Sequence, residues 1–217
     1  MKKYLAALLL ALAAAGAARA QDADVALVTL LSGDVSYVSR SGTPGEVKPY
    51  MKIREGDRIK LGSQGQIRIA FFDGARQELW SGPAAFTAGK TAAEPISGKA
   101  AAITKLPAGV AQHMTRIPEL VISAKLGGMK VRGIPRREQE DVAGQQSTLA
   151  QARAAYATLR QEMPANDIAP ELYLYAALYE FHLYDEMKPV VAEMLRKQPD
   201  NPDARALDNW LAARLSR

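Results

Sequence analysis

Ile67-Arg68-Ile69-Ala70-Phe71-Phe72-Asp73-Gly74 decides how the first half of the chain folds. Apolar Ile67, Ile69 and Phe71 alternate with Arg68 and Ala70, the period of a β-strand with one buried face, and Asp73-Gly74 suits a tight hairpin of primed type after it. Upstream, the apolar run from Val25 to Leu31 ends at Ser32-Gly33, and Val35-Ser36-Tyr37-Val38 ends at the turn-forming cluster Ser41 to Gly45. Ile53 precedes Glu55-Gly56-Asp57, while Ile59 and Leu61 precede Gly62-Ser63-Gln64-Gly65. Short apolar runs cut by turn residues, with no helical period from Val25 to Phe86, predict an all-β unit of sandwich-like or barrel-like form.

The N-terminus follows a different logic. Lys2 and Lys3 form a charged start, Leu5 to Ala15 an unbroken apolar run, and Ala18-Arg19-Ala20 a small-x-small cleavage site. The run spans eleven residues, whereas crossing a hydrocarbon core of about 30 Å takes ~20 helical residues. A cleavable signal peptide is therefore predicted over residues 1–20, with export and a mature start at about Gln21. No later segment reaches spanning length, so no transmembrane segment is expected after cleavage. The chain has no cysteine, which excludes a lipoprotein anchor and a disulfide framework and leaves apolar cores to hold the fold.

Lys2, Lys3 and Arg19 supply three of the five surplus positive charges, so the mature chain is nearly neutral. Its charge is unevenly placed: residues 21–98 balance, 99–137 sum to +7 and 138–217 to −5. The high isoelectric point is thus no argument for nucleic acid, and without aromatic interleaving in the basic stretch no nucleic-acid partner is expected.

The acidic region reads as all-α. Leu149, Ala152, Tyr156, Leu159 and Met163 recur at steps of three and four on a helix ending before Pro164, and Met187, Val190, Val191, Met194 and Leu195 do so before Pro199. Ala152, Tyr156, Leu159 and Pro164 share their spacings with Met187, Val191, Met194 and Pro199, displaced by 35 residues. Pro170 and Pro202 stand where helices can start, with Asn201 as N-cap before the second. The helix from 170 to 183 is apolar nearly all round, so neighbours should sandwich it; the helix after Pro202 keeps a wet face of Asp203, Arg205, Asp208 and Arg214.

Two family resemblances add to this reading. Ser32-Gly33-Asp34-Val35, Met51 to Ile59, Leu61-Gly62-Ser63, Ile67 to Gly74 and Leu79-Trp80-Ser81-Gly82-Pro83-Ala84 come in the order that the FecR domain shows. The resemblance implies a non-catalytic periplasmic β-domain for sensing, binding or scaffolding. FecR sensors carry a cytoplasmic segment and a membrane helix ahead of this domain, where this chain has its signal peptide. The 35-residue period resembles a tetratricopeptide-repeat pair, which implies a groove for a partner protein. The departures are Met187 in place of a small residue, an unclear first-helix pattern and fewer than three repeats; a plain helical bundle is the alternative.

The expected fold class is α+β, with a FecR-like β-domain over 21–90, a basic linker over 91–145 and a tetratricopeptide-like helical region over 146–217. Within the linker, residues 88–105 read as loop, Leu106 to Arg116 as a short helix and Met129 to Arg132 as a strand. The positive charges of Lys125, Lys130, Arg132, Arg136 and Arg137 can meet an acidic partner, anionic lipid or the acidic helical region.

No catalysis, cofactor or metal is expected. His113 and His182 lack His or Cys neighbours at ligand spacing, His182 reads as packing, and Asp57 and Asp73 sit in turns beside glycine. Candidate partner-binding residues are Tyr173, Tyr175 and Tyr179, with Tyr184 beside them, and Trp80. Two functions fit: a periplasmic scaffold that engages an envelope protein of a Gram-negative bacterium, or a module for cell-wall or exported polysaccharide. Trp80 separates them, since its exposure would offer a stacking surface for sugar and its burial would withdraw it.

Overall fold

The computed structural model describes residues 23–107, 109–126 and 142–216; the expected signal peptide and the strand expected at Met129 to Arg132 lie outside them. Ten strands and six helices occur among the described residues. The strands are β1 (Asp24–Ser32), β2 (Val35–Val38), β3 (Pro44–Glu46), β4 (Lys52–Arg54), β5 (Arg58–Leu61), β6 (Gln66–Phe71), β7 (Arg76–Ser81), β8 (Ala84–Ala88), β9 (Ala93–Ser97) and β10 (Ala102–Lys105). The helices are α1 (Val110–Met114), α2 (Ile117–Lys125), α3 (Val142–Glu162), α4 (Ala169–Glu180), α5 (Tyr184–Lys197) and α6 (Pro202–Leu215). The arrangement is α+β with the β part N-terminal.

Two antiparallel five-stranded sheets form a sandwich, one in the order β10-β7-β6-β1-β4 and the other β3-β2-β5-β8-β9. Ile53, Ile67, Ile69, Phe71 and Trp80 of the first sheet meet Ile59, Leu61, Ala84 and Phe86 of the second. The alternation along β6 is right about this face, but its other face is not in solvent. Arg68 is 6% exposed and Ala70 is fully buried, because the helices cover the outer side of the first sheet. Leu27, Tyr50 and Ala70 of that side share one apolar cluster with Met114, Leu120, Tyr173, Leu178 and Leu207. The molecule therefore has three layers, helices on sheet on sheet.

The 91–145 linker begins later than expected, since β9 and β10 extend both sheets across the stretch read as loop. Both are edge strands, paired on one side with β8 and β7. Their outward residues carry no alternation that burial would impose, so composition hid them. The β6–β7 turn also differs from the two-residue hairpin: Phe71 pairs with Arg76, leaving a four-residue connection in which Ala75, at φ 44°, takes the left-handed conformation. Gly74 is needed for closeness instead, as a Cβ there would stand 2.2 Å from the Thr91 carbonyl oxygen.

The helical region follows its sequence signals closely. α3 stops before Pro164 and α5 before Pro199, and the Asn201 side chain accepts from the backbone N–H of Asp203 at 2.9 Å and Ala204 at 3.1 Å. Glu171 on α4 is wholly buried yet satisfied: it takes Arg160 of α3 at 2.9 Å, Lys197 of α5 at 2.6 Å and the Tyr156 hydroxyl at 3.1 Å. One carboxylate thus ties three helices together, and its removal would leave Arg160 with backbone carbonyls alone and Lys197 with Glu193 at 3.5 Å.

Charged pairs also join helices to sheet. Arg68 of β6 pairs with Asp167 between α3 and α4, both buried. Lys52 of β4 reaches Glu119 of α2 at 2.5 Å. Lys125 pairs with Asp203, and Arg116 reaches Glu180 at 3.2 Å, so described members of the basic stretch do meet the acidic helical region. Lys130, Arg132, Arg136 and Arg137 lie outside the described residues.

A buried pair broken on one side costs far more than the pair is worth, about 3–5 kcal/mol. Asp167→Asn or Arg68→Met should lose stability of that order in urea unfolding, and adding Asp167→Asn to Arg68→Met, which keeps an acceptor for the Ala169 N–H, should cost little more than Arg68→Met alone. A single variant that loses under ~1 kcal/mol, the size typical of exposed pairs, would show that solvent reaches this one.

Candidate functional site

Aromatic side chains separate into those consumed by the two cores and those that reach the surface. Trp80 belongs to the first group. It is 2% exposed, its ring stacks on Phe86 with centroids 4.6 Å apart, and its indole N–H donates to Glu78 at 3.0 Å. The β-sandwich therefore offers no tryptophan for sugar stacking. Tyr50 is buried against the helices and Tyr37, half-buried, donates its hydroxyl to Asp57 at 3.0 Å.

Tyr173 and Tyr175 are each 1% exposed and cannot line a groove. Residues 169–178 of α4 are buried in unbroken succession, because α3 and α5 flank the helix while α1 and α2 press on it from the sheet side. Burial pushes the Tyr173 hydroxyl up to about 12, and the Glu180 carboxylate adds to it. Tyr156 is likewise pushed up to about 12, by burial first and then by Glu171. The face made by α4 and α6 is occupied by α1 and α2, so the groove implied by a repeat pair is filled there by the chain itself.

Tyr179 is half-buried, and around it gathers a cluster that the sequence did not assemble. Its ring lies 6.5 Å from that of Tyr184 and 5.6 Å from that of Trp210, and the last two are 6.2 Å apart. The planes are inclined at 65°, 56° and 67° respectively. The Arg214 guanidinium stands over Tyr184 at 5.2 Å, a cation–π geometry. Burial raises the Tyr179 hydroxyl, Tyr184 adds to the rise and Arg214 opposes it.

The α4–α5 turn sets this geometry. The N–H of His182 donates to the Tyr179 carbonyl at 3.1 Å and that of Leu183 to the Leu178 carbonyl at 3.1 Å, the pairing of a Schellman C-cap. That cap requires a left-handed residue, usually glycine, and His182 takes the place at φ 58°. Its side chain is exposed, against the packing role expected, with its ring 5.9 Å from that of Tyr184. α5 then starts at Tyr184, and α6 brings Trp210 and Arg214 alongside. Tyr179, Tyr184 and Trp210 have no common period, and Trp210 reads in sequence as one more packing position, so only the fold brings them together.

Asp57 is buried and accepts from the N–H groups of Arg40 and Arg54 at 3.1 and 2.9 Å, which makes it a turn-holding residue, while exposed Asp73 pairs loosely with Lys90 at 3.8 Å. His113 Nδ1 lies 2.8 Å from Glu180 within the α1–α4 contact. Among the described residues no group of three or more His, Cys, Asp or Glu is placed to hold a metal ion, and no helix is long and apolar enough to cross a membrane.

No family model and no curated protein matches the chain. A solved structure described as a cell surface anchoring domain is similar at 26% identity over 30% of this chain and 84% of its own, with a TM-score of 0.28, too low to carry an argument about fold or role.

Tyrosines whose folded pKa is raised favour the folded state below their ordinary value of 10.0, and that contribution is lost as pH climbs towards about 12. Phenolate absorbance should therefore rise together with loss of helical circular dichroism in that window; titration of Tyr156 and Tyr173 near their ordinary value with the helices intact would contradict the burial. Separately, His182→Gly should raise stability by about 0.5–1 kcal/mol, since glycine takes the left-handed conformation without the Cβ cost. A loss instead would mean that the His182 ring contributes packing greater than its backbone strain.

Proposed function

We propose that the chain is a non-catalytic binding and scaffold protein of the bacterial envelope, exported to the periplasm. In this reading a FecR-type β-sandwich forms the platform and a tetratricopeptide-like stack makes the contact with a partner protein. The observation that carries it is the Tyr179, Tyr184 and Trp210 cluster. Tyrosine, tryptophan and arginine are the residues enriched where proteins bind one another, because they bring large contact area with a polar handle. Here they stand together at one end of the helices, whereas Tyr50, Trp80, Tyr173 and Tyr175 are buried. Burial of Trp80 counts against the polysaccharide reading, whose best sequence feature it was.

Because the helices cover Leu27, Tyr50 and Ala70 of the β part, deletion of the helical region would expose apolar surface there, and point variants give the cleaner test. Residues 21–217, immobilised, should retain one protein from a Gram-negative envelope extract, and Tyr184→Ala or Trp210→Ala should cut its recovery about tenfold, as truncation of a binding hot spot does. Sedimentation with purified peptidoglycan and no retained protein would replace the scaffold reading with the wall-binding one.

A further inference from the structure

The ring geometry and the charge beside it narrow the chemistry of the partner. A pyranose stacks on a broad flat aromatic face, but planes inclined at 56–67° present an angular surface of ring edges and faces. Inclined rings of that kind suit a polyproline II chain, whose three residues per turn bring proline rings onto aromatic side chains. Such a chain has no internal hydrogen bonds, so its carbonyls need donors. The Trp210 indole N–H and the Tyr179 hydroxyl, both half-buried, have no partner among the described residues.

Charge gives the second constraint. Arg153, Arg160, Arg196 and Arg205 of the helical region each pair with a carboxylate. Among the described residues exposed Arg214 pairs with no carboxylate: its guanidinium stands over the Tyr184 ring and reaches that hydroxyl at 3.4 Å. Exposed His182 borders the same ring. Asp185 and Glu186 at the start of α5 are already engaged, by Lys188 and Arg153. The cation left without a carboxylate calls for an acidic residue on the incoming chain.

We propose that Tyr179, Tyr184 and Trp210 dock an extended proline-rich segment of another protein, with Arg214 taking a carboxylate beside its prolines. The proposal rests on the protein-binding reading above. The probe is a fluorescently labelled oligoproline flanked by glutamates, titrated against residues 21–217 by anisotropy. Binding should be saturable, weaken about tenfold in Tyr184→Ala and Trp210→Ala, and weaken about fivefold in Arg214→Gln with reduced salt dependence. Arg214 is exposed, so its variant keeps the fold and serves if the aromatic variants do not. Trp80 is buried, so a tryptophan emission change on binding that is absent in Trp210→Phe reports the site directly.

Absence of binding, or equal binding of a glycine-serine peptide between the same glutamates, would overturn the proposal. So would an acidic oligosaccharide that binds more tightly than the peptide and is lost in the same variants, which points to a glycan. Capture of an envelope protein through Tyr184 and Trp210 without peptide binding would sink this inference alone and leave the scaffold reading standing; failure of both capture and peptide would remove both.

Discussion

The buried pairing of Arg68 with Asp167 is the constraint on which the rest of the architecture turns. An arginine in the middle of a central strand, facing away from the sandwich core, can be buried only if something brings it a carboxylate. Asp167 does so from the connection between α3 and α4. Its other oxygen accepts the N–H of Ala169 at 2.8 Å, at the start of α4, and its carbonyl accepts Arg160 at 2.8 Å. One residue thereby fixes the helical region on the sheet, starts α4 and restrains the end of α3. Apolar burial supplies most of the driving force across this interface, but it is non-directional. The ion pair selects one placement among those that would bury comparable area, and Lys52 with Glu119 repeats the device on the α2 side.

α1 and α2 complete the fit. They fill the space between the first sheet and the face formed by α4 and α6, and their buried Met114, Ile117, Leu120 and Val121 belong to the same cluster as the helices they press on. The helical stack consequently has its inner face closed, and the aromatic cluster stands at the far end, where the α4–α5 turn meets the second half of α6. The proposed contact thus falls on a turn and a helix end, places where side chains are held by the scaffold without being consumed in it.

Much of this was legible from residue patterns. The strands of the sandwich between Val25 and Phe86, the stops before Pro164 and Pro199 and the cap at Asn201 are local signals, and local physics decides them. What escaped was decided by layers. Arg68 alternates like a solvent-facing residue because alternation reports which side of a strand differs, not whether a helix covers it. Tyr173 and Tyr175 share the aromatic density of Tyr179, and only the position of α1, α2 and α5 tells which ring reaches the surface. Trp80 follows a turn, which left its exposure or burial open, and its strand orients the ring inward onto Phe86. The cluster itself joins Tyr179 and Tyr184 to Trp210 on another helix, and the period of a single helix does not reach that far.

The core shared by helices and sheet has a mechanical corollary. Proteins assembled from a β-domain and a helical stack on a flexible connection let a bound partner swing through a wide volume. Here the apolar cluster runs without a break from Leu27 and Ala70 to Leu211, so the chain acts as a bracket with no joint. Anything held at Tyr184 and Trp210 would keep a set distance and bearing from the sandwich, and tension on one part would load the other directly.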